Sequence, residues 1–390
     1  MRIGIPKEKN EKETRVAVVP VSIPKLSKLG FEVIIEENAG KKSGYSNAEY
    51  EEKGAKISSI DDVMKSELIA SIDVPDFSSM KKGQMLACVA DPFRNLEQTK
   101  KIIDAGITLL SLEVIPRRLS KGQSMDVNSS QDNLSGYKAA LLGSQNIAKM
   151  VPMMMTSAGT VKPAKFVIQG AAVAGLQAIA TAKRLGGAIQ AIDVRLAAKQ
   201  DTESLGAKFI DVPGWKDAES SSGHASLFTD TDLQNAFDNA LMDAVRDADV
   251  VITTARLFGA NAPKLFFGKE NNEKMTQEMK KGSVIVDMNT DTGGNINGSK
   301  EGEIIEKDGV TIVGIPMLCR TIPNTASMLY SNNVTNFVTV LVNEGKLGIN
   351  QNEEVLTGDE GGISAGYGGI LISMDGKIHE NHTKLMEVMK

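Results

Sequence analysis

The sequence predicts an α/β protein of two Rossmann-like domains with parallel sheets, separated by a cleft and joined by long helices. Three observations indicate this fold class. Short apolar segments alternate with helical patterns through most of the chain, which is typical of parallel sheets flanked by helices. Residues 166–193 combine two apolar strands, a glycine-rich turn and a helix. A length of 390 residues also allows two domains, each with its own hydrophobic core.

The N-terminal third of the chain reads as a domain of alternating strands and helices. Short apolar runs suit strands of a buried sheet, and the segments between them carry helical periodicity. In chain order we predict strand Met1–Pro6, helix Val21–Leu29, strand Glu32–Ile35, a turn in Asn38–Gly44, helix Asn47–Lys53, strands Leu68–Ile72 and Met85–Val89, helix Leu96–Ala105 and strand Thr108–Ser111.

A polar loop then separates this domain from a long helical pattern. Ser129, with Asp132 three residues later, predicts that a helix begins there. Apolar residues recur at helical spacing as far as Val151, so this helix is long enough to connect two domains. The expected domains are residues 1–128 completed by 325–390, and residues 129–324 including the long linker helices.

Residues 166–193 have the spacing of a dinucleotide-binding βαβ unit. Gly170 permits a tight turn from the first strand into the helix, and Gly175 lets the helix pack closely on that strand. The helix N-terminus offers unpaired N–H groups and a positive dipole end to a pyrophosphate. Asp193 follows Gly170 by 23 residues, where a carboxylate can accept both ribose hydroxyls and repel a 2′-phosphate. The pattern therefore favours NAD(H) over NADP(H).

Ala172 departs from this fingerprint. It stands where the second glycine of G-x-G-x-x-G would let the backbone approach a phosphate, so its methyl group is expected to reduce affinity. The alternative reading is a helix N-terminus that packs on a sheet and binds nothing. Asp193 and its spacing argue against that alternative.

The rest of the second domain and the C-terminal segment continue the pattern. The loop Val212–Asp230 reads either as a flap over a bound nucleotide or as a solvated insertion. Asp375-Gly376 predicts a hairpin turn. The other predicted elements are strands Lys208–Asp211, Asp249–Thr253, Ser283–Asp287 and Val310–Gly314, a returning helix in Ala326–Glu344 and a hairpin in Gly369–Lys377.

Composition and charge narrow the classes of function. Hydrophobic residues make up 41% of the chain and charged residues 24%, which is typical of globular proteins. A net charge of −5 provides no basic surface for nucleic acid or anionic lipid. Cys88 and Cys319 are far apart in apolar surroundings, so we expect reduced thiols in a cytoplasmic protein and no metal site. No signal sequence or membrane-spanning apolar run is apparent.

Five segments of the chain carry a resemblance to a known family. They are QSMDVNSSQDNLSGYKA (Gln123–Ala139), PMMMTSAGTVKPAK (Pro152–Lys165), VAGLQAIATAKRLG (Val173–Gly186), ESLGAKF (Glu203–Phe209) and GSVIVDM (Gly282–Met288). They resemble the soluble, NAD(H)-binding alpha-1 subunit, or domain I, of proton-translocating NAD(P) transhydrogenases, which are relatives of alanine dehydrogenase. The similarity extends from the first residue to about residue 345 and more loosely to the end.

The resemblance implies roles for four residues of the polar loop, which in that family lies in the cleft and touches both nucleotides. Arg118 would contact the NAD(H) pyrophosphate, and Gln123 would reach toward the ribose of the nucleotide held by the partner. Asp126 and Ser129 would hold the nicotinamide carboxamide and orient the ring. The residues alone leave simpler readings open, with Ser129 as a helix cap, Asp126 as a charge near a helix N-terminus and Arg118 as a solvated cation.

The resemblance also implies nucleotide-binding residues in the second domain, namely Gly170, Ala172, Val173, Gly175, Asp193, Val194, Arg195, His224, Thr254, Leu257 and Asn289. Besides Ala172, three segments depart from the family. His224 replaces the tyrosine of a Gly-Tyr-Ala motif in the flap, residues 253–260 replace a TTALIPGK-like segment near the adenine pocket, and residues 289–292 are polar where the family is small and apolar. We expect these departures to affect NAD affinity more than the fold.

The residues expected around the reacting groups favour hydride transfer over amino-acid oxidation. An alanine dehydrogenase needs a cation for the substrate carboxylate and an acid–base residue, and in that family a lysine and a histidine fill these roles. Asp73 and Asp91 stand at those positions here, although Arg15 is retained. Direct transfer between two nicotinamides needs only that their C4 atoms be held about 3–3.5 Å apart with water excluded.

The sequence therefore predicts a subunit that binds NAD(H) and exchanges hydride with NADP(H) held by a separate NADP(H)-binding domain. The resemblance implies a cytoplasmic homodimer, peripheral to the inner membrane through membrane-embedded alpha-2 and beta subunits. Three alternatives stay open: a stand-alone, alanine-like dehydrogenase, a catalytically impaired NAD-binding homologue, and a scaffold without a ligand. Asp193 and the intact 123–129 loop argue against the scaffold.

Overall fold

A computed structural model describes residues 1–212, 214, 230–257, 259–265 and 269–390. The chain divides into two compact units. The first holds Met1–Gln131 and Arg320–Lys390, and the second holds the described residues between Asp132 and Cys319. Each unit contains a mostly parallel sheet, which confirms the predicted α/β class with two Rossmann-like domains.

The strands are short, and most central ones are buried on both faces, as expected in parallel sheets. In chain order the strands are β1 (Arg2–Ile5), β2 (Glu32–Glu36), β3 (Lys56–Ser58), β4 (Leu68–Ala70), β5 (Met85–Cys88), β6 (Thr108–Ser111), β7 (Met154–Thr156), β8 (Gly159–Val161), β9 (Lys165–Gln169), β10 (Ala188–Ile192), β11 (Lys208–Phe209), β12 (Val250–Thr253), β13 (Val284–Asp287), β14 (Glu303–Lys307), β15 (Val310–Gly314), β16 (Val342–Asn343), β17 (Lys346–Leu347), β18 (Leu371–Met374) and β19 (Lys377–Ile378).

The helices occupy the segments between the strands. In chain order they are α1 (Ile23–Lys28), α2 (Asn47–Glu52), α3 (Ile60–Val63), α4 (Leu96–Asp104), α5 (Val127–Asn146), α6 (Val173–Arg184), α7 (Ala198–Ser204), α8 (Thr231–Arg246), α9 (Lys269–Glu278), α10 (Pro323–Val338), α11 (Glu354–Thr357), α12 (Glu360–Ser364) and α13 (Thr383–Val388). None of the helices in the described ranges combines the length and apolar composition that a membrane span requires.

The sheet of the first unit has eight strands in the order β19-β18-β6-β5-β4-β1-β2-β3. Strands β1 to β6 are parallel, whereas β18 runs antiparallel to β6 and β19 antiparallel to β18. The C-terminal segment therefore completes this sheet. The predicted hairpin turn is confirmed, because Asp375 and Gly376 have φ of 52° and 79°, and a type I′ turn needs two positive φ angles.

The sheet of the second unit has seven strands in the order β11-β10-β9-β12-β13-β15-β14, and only the edge strand β14 is antiparallel. Its two faces carry separate cores. Along β9, Phe166 and Ile168 belong to the core that includes α6, while Val167 belongs to the core that includes α8. This alternation follows from the two-residue period of a strand, and burial on both faces is why the predicted strands read as continuous apolar runs.

The long helix α5 corrects one prediction. It begins at Val127, before the predicted start, and ends at Asn146, before Val151. The Asp126 carboxylate accepts a hydrogen bond of 2.9 Å from the Ser129 N–H. Asp126 is therefore the residue that caps the helix, and Ser129 lies in its first turn, because an N-cap side chain bonds the N–H three residues on.

The returning helix was also predicted with the wrong bounds. α10 begins at Pro323 and ends at Val338, and a short strand, β16, occupies part of the segment predicted as helix up to Glu344. Proline suits the first turn of a helix, because the N–H it lacks would have no partner there. The signal for this start was present in the sequence, one turn ahead of the predicted Ala326.

Candidate functional site

The turn from β9 into α6 requires glycine at two positions. Gly170 has φ of 91°, and a Cβ there would lie 2.5 Å from Thr254 Oγ1. A Cβ at Gly175 would lie 1.8 Å from the Gly170 carbonyl oxygen, so the helix approaches the turn as closely as a glycine allows. Side chains at these two positions would fill the space at the turn. The two glycines leave that space open, as the dinucleotide-binding pattern requires.

Ala172 lies at the N-cap of α6. It is exposed, has extended backbone (φ −84°, ψ −165°), and its carbonyl accepts the first intrahelical hydrogen bond, of 2.8 Å, from Leu176 N–H. The helix then begins with the partly buried Val173. The N–H groups of a first helical turn have no intrahelical partner, so they can bind an anion such as a pyrophosphate.

Asp193 follows β10 and is buried beside the glycine turn, with 5% of its surface exposed. Its Oδ2 accepts a hydrogen bond of 2.7 Å from the Ala171 N–H. Arg195 pairs with the same carboxylate, with Nε 3.0 Å from Oδ1 and Nη2 3.0 Å from Oδ2. Val194, between them, is partly buried against the core that includes α8. The structure thus brings Asp193 and Arg195 to the turn that starts at Gly170.

The predicted nucleotide-binding residues after β12 and β13 bond mainly to the main chain of neighbouring loops. Thr254 Oγ1 donates 2.8 Å to the Gly170 carbonyl, which ties the end of β12 to the glycine turn. Asn289 is buried, and its Nδ2 donates to the Ala255 carbonyl at 3.1 Å and to Asn295 Oδ1 at 2.8 Å. Leu257 is partly buried.

The polar loop before α5 forms a cluster in the first unit. Arg117 Nε lies 3.2 Å from Asp126 Oδ2, and its Nη2 donates 3.0 Å to Ser129 Oγ. The Ser129 hydroxyl donates to Asp126 Oδ2 at 2.5 Å. Asp126 is 6% exposed, so its carboxylate is both capping the helix and paired with a cation. The structure brings Asp126 and Ser129 together and joins them through Arg117, a residue for which the sequence predicted no role.

Arg118 and Gln123 are exposed, and their side chains make no hydrogen bond to any residue that the structure describes. Two adjacent arginines in a loop cannot be distinguished by sequence pattern, and only the fold shows which of them turns toward the acidic residue. His224 lies outside the described residues, as do residue 213 and residues 215–229 of the predicted flap.

Arg15 belongs to a buried network that the sequence pattern did not indicate. Its guanidinium donates to both Glu13 oxygens, each at 2.7 Å, and to Gln131 Oε1 at 3.0 Å. Burial alone would raise the pKa of Glu13, but the hydrogen bonds and charge of Arg15, with the charge of Arg320, lower it to about 2. The Arg15 fork is therefore occupied by a carboxylate of its own chain.

The two carboxylates expected around Arg15 have other partners. Asp91 pairs with Arg94 at 3.0 Å. Asp73 accepts a hydrogen bond of 3.0 Å from Asn10 Nδ2 and lies 3.9 Å from Arg320 Nη2. The expectation that named Asp73 and Asp91, but not Glu13, as the acidic neighbours of Arg15 was incomplete, because a contact two residues away along the chain supplies the main one.

Two buried glutamates of the first unit were also missed. Glu8 accepts hydrogen bonds from the N–H groups of Ile72 (2.6 Å) and Asp73 (3.1 Å), and burial raises its pKa to about 8. Burial raises the pKa of Glu113 to about 7, although the Ser111 hydroxyl donates to it at 2.6 Å. Both pKa values lie near neutral pH, so this unit contains titratable groups that the sequence did not reveal.

The described histidines lie in the C-terminal segment. Burial lowers the pKa of His382 to about 4, and its Nδ1 accepts a hydrogen bond of 3.0 Å from the Gly368 N–H. Burial also lowers the pKa of His379. Both rings are neutral at neutral pH, and His382 fills a structural role there.

Comparison with known proteins identifies the family. A model described as the alanine dehydrogenase/PNT N-terminal domain matches residues 4–135, and one for the C-terminal domain of the same family matches residues 139–372. The chain belongs to the alanine dehydrogenase/PNT family. The two matches together account for most of both units and include the glycine turn, Asp193 and the cluster around Asp126.

Individual relatives are similar over nearly the whole chain. The first portion of NAD(P) transhydrogenase subunit alpha from Rickettsia prowazekii is 37% identical over 97% of this chain and 96% of that relative. The corresponding protein from Rhodospirillum rubrum is 40% identical over 87% of this chain and 90% of that relative. The crystal structure of transhydrogenase from Sinorhizobium meliloti matches with a TM-score of 0.82 and 36% identity, over 97% of this chain and all of that one. The similarity confirms the family resemblance and supports an oxidoreductase role.

Proposed function

We propose that this chain is the NAD(H)-binding subunit of a proton-translocating transhydrogenase, and that it exchanges hydride with NADP(H) held by a partner subunit. The observation that carries the proposal is the glycine turn at Gly170 with the buried Asp193 carboxylate beside it, bonded to the Ala171 N–H. A dinucleotide needs such an open turn for its pyrophosphate and an acidic residue for its ribose. The names of the relatives support the reaction class.

In this proposal the chain contributes orientation and charge. The bound nucleotide supplies the hydride, so the protein needs no nucleophile. Asp126 can accept a hydrogen bond from the nicotinamide carboxamide, and the Ser129 oxygen, whose proton is donated to Asp126, can also accept from it. Arg117 holds these two groups in one position through bonds of 3.2 and 3.0 Å, which pre-organises them. The exposed Arg118 and Gln123 are available for the pyrophosphate and for the partner's nucleotide.

The network of Arg15 argues against the alternative of an alanine-like dehydrogenase. A substrate carboxylate would have to displace Glu13, which is fully buried and bonded to the guanidinium at two points. Such a displacement would break the Arg15–Glu13 ion pair inside the protein and leave Arg320 as the cation that faces the buried Glu13 carboxylate. The pKa values of Glu8 and Glu113 lie near neutral pH, as those of an acid–base residue would, and this is the observation that favours the dehydrogenase alternative. Turnover of alanine or pyruvate with NAD(H) and no partner would establish it.

The names of the relatives imply further subunits, because each names only the first portion of an alpha subunit. We propose that the partners are membrane-embedded alpha-2 and beta subunits, of which one carries the NADP(H)-binding domain. The chain would then be cytoplasmic and attached to the inner membrane only through them. Purification with and without co-expressed partners, followed by membrane flotation, tests this attachment.

A methionine-rich hairpin supports the proposed homodimer. β7 and β8 form a separate two-stranded sheet, and such a hairpin is marginally stable alone in water. Met153 is 61% exposed and Met155 75% exposed, with Met150 and Met154 also exposed nearby. Exposed, flexible apolar side chains are typical of surfaces that bind another protein. We propose that a second copy of the chain covers this hairpin.

The test has two stages. NADH titration of the purified chain, followed by nicotinamide fluorescence, measures binding. The chain is then mixed with a purified NADP(H)-binding domain, and reduction of an NAD analogue by NADPH is followed. Ser129→Ala should lower exchange by roughly tenfold and leave NADH affinity nearly unchanged, whereas Ser124→Ala in the same loop should affect neither. Absence of NADH binding would refute the proposal, and binding without exchange would support a catalytically impaired homologue.

A further inference from the structure

Asp193 is saturated with hydrogen bonds within its own chain. Oδ1 accepts from the Arg195 N–H (2.8 Å) and Nε (3.0 Å), and Oδ2 accepts from the Ala171 N–H (2.7 Å) and Arg195 Nη2 (3.0 Å). An ionised carboxylate has about four acceptor positions. With only 5% of Asp193 exposed, a ribose hydroxyl can bond to it only if one of these donors leaves.

Two of the four donors belong to a side chain and can change position. The N–H groups of Ala171 and Arg195 belong to the main chain, in the glycine turn and three residues after β10, and they cannot rotate away. The other two belong to the Arg195 side chain, which is 20% exposed and donates once to each oxygen. Rotation of this side chain frees one acceptor position on each oxygen, and the two hydroxyls of a ribose can donate to these two positions.

We propose that Arg195 lowers the preference of this site for NAD(H) over NADP(H), because its guanidinium competes with the ribose hydroxyls of NAD(H) for Asp193 and favours a 2′-phosphate. This rests on the proposed function, since it requires a nucleotide at the turn between β9 and α6. While paired, Arg195 neutralises the charge that would repel a 2′-phosphate. Its planar fork also matches phosphate oxygens. Discrimination against NADP(H) is therefore weaker than Asp193 alone would produce.

Removal of the guanidinium should increase the preference of the chain for NADH over NADPH. In Arg195→Ala we expect the Kd for NADH to fall about fivefold and the Kd for NADPH to rise about tenfold, both measured by fluorescence titration of the full chain. Arg195→Lys keeps the charge but loses the fork, so its ratio of the two Kd values should lie between those of Arg195→Ala and the unaltered chain. Arg184→Ala removes an exposed cation from the last turn of α6 and should change neither Kd by more than about twofold.

A double-mutant cycle tests whether the competition acts through Asp193. In an Asp193→Asn background, Arg195→Ala should no longer improve NADH binding, because no carboxylate remains to be freed. Thermal melting establishes that each variant is folded, and Arg195→Gln replaces Arg195→Ala if the latter does not fold. An unchanged ratio of the two Kd values in a folded variant, or an equal gain in the Asp193→Asn background, overturns the inference. Failure of the unaltered chain to bind NADH would instead overturn the proposed function.

Discussion

Replacing Gly175 by alanine tests the close packing of α6 on the glycine turn. An ideal Cβ there would lie 1.8 Å from the Gly170 carbonyl oxygen and 3.5 Å from Ile168 Cγ2. Real Cβ atoms essentially never approach within 3.0 Å, so the helix and the turn would have to separate by about 1.2 Å. The obstructing atom is backbone, and the Gly170 N–H donates 2.8 Å to the Ile192 carbonyl, so moving Gly170 strains the link between β9 and β10.

We expect Gly175→Ala to lower the free energy of unfolding by about 2–3 kcal/mol, the upper part of the range for overpacked sites. The melting temperature should fall by roughly 4–12 °C. The Kd for NADH should rise, because the first turn of α6 moves away from its position beside Gly170. Urea unfolding and fluorescence titration measure the two effects.

Gly348→Ala is the matched control for this substitution. No heavy atom of the described residues lies within 4 Å of a Cβ at Gly348, and its φ is outside the left-handed region, so alanine fits there without strain. It should leave stability and NADH affinity unchanged. If Gly175→Ala behaved like this control, the reasoning about the close approach of α6 would be refuted.

Three further predictions concern buried charge and assembly. Glu13→Gln should destabilise the chain by about 3–5 kcal/mol in urea unfolding, because it leaves the buried Arg15 cation without its carboxylate. Glu8 should make stability fall as pH rises from about 4.5 to about 8, since in that window the folded state keeps a proton on Glu8 that the unfolded state has lost, and Glu113 adds to this slope up to about pH 7. Glu8→Gln should therefore reduce the slope, most clearly between about pH 7 and 8, in denaturation measured across pH. Met155→Glu should shift the chain from dimer to monomer in sedimentation, because it places a charge on the exposed hairpin.

Each of these has a matched control. Glu11→Gln removes a carboxylate that is 95% exposed and should change neither stability nor its pH dependence. Val388→Glu adds a charge at a position that is 57% exposed on α13 and should leave the oligomeric state unchanged. Equal destabilisation by the two glutamate-to-glutamine changes at positions 11 and 13, a slope as steep in Glu8→Gln as in the unaltered chain, or a dimer that survives Met155→Glu would contradict the respective prediction.

Local signals were sufficient for much of the fold. The apolar runs predicted the central strands of both sheets, because strands buried on both faces must be apolar throughout. Asp375-Gly376 predicted its hairpin turn, because few residue pairs adopt two positive φ angles. The predicted helix start at Ser129 was wrong because several residues that can cap a helix lie close together there. The sequence does not show which of their side chains accepts a hydrogen bond from the N–H three residues later.

What the sequence by itself determined are the features set by neighbouring residues: the α/β class, the glycine turn at Gly170 and the acidic residue after β10. What only the tertiary structure decided are burial and long-range pairing. Arg320 reaches Glu13 at 2.7 Å across 307 positions of the chain, and burial moves the pKa of Glu8 to about 8. The periodicity of the sequence predicts neither this ion pair nor this pKa shift. Both arise only when distant segments pack together and exclude water from the groups between them.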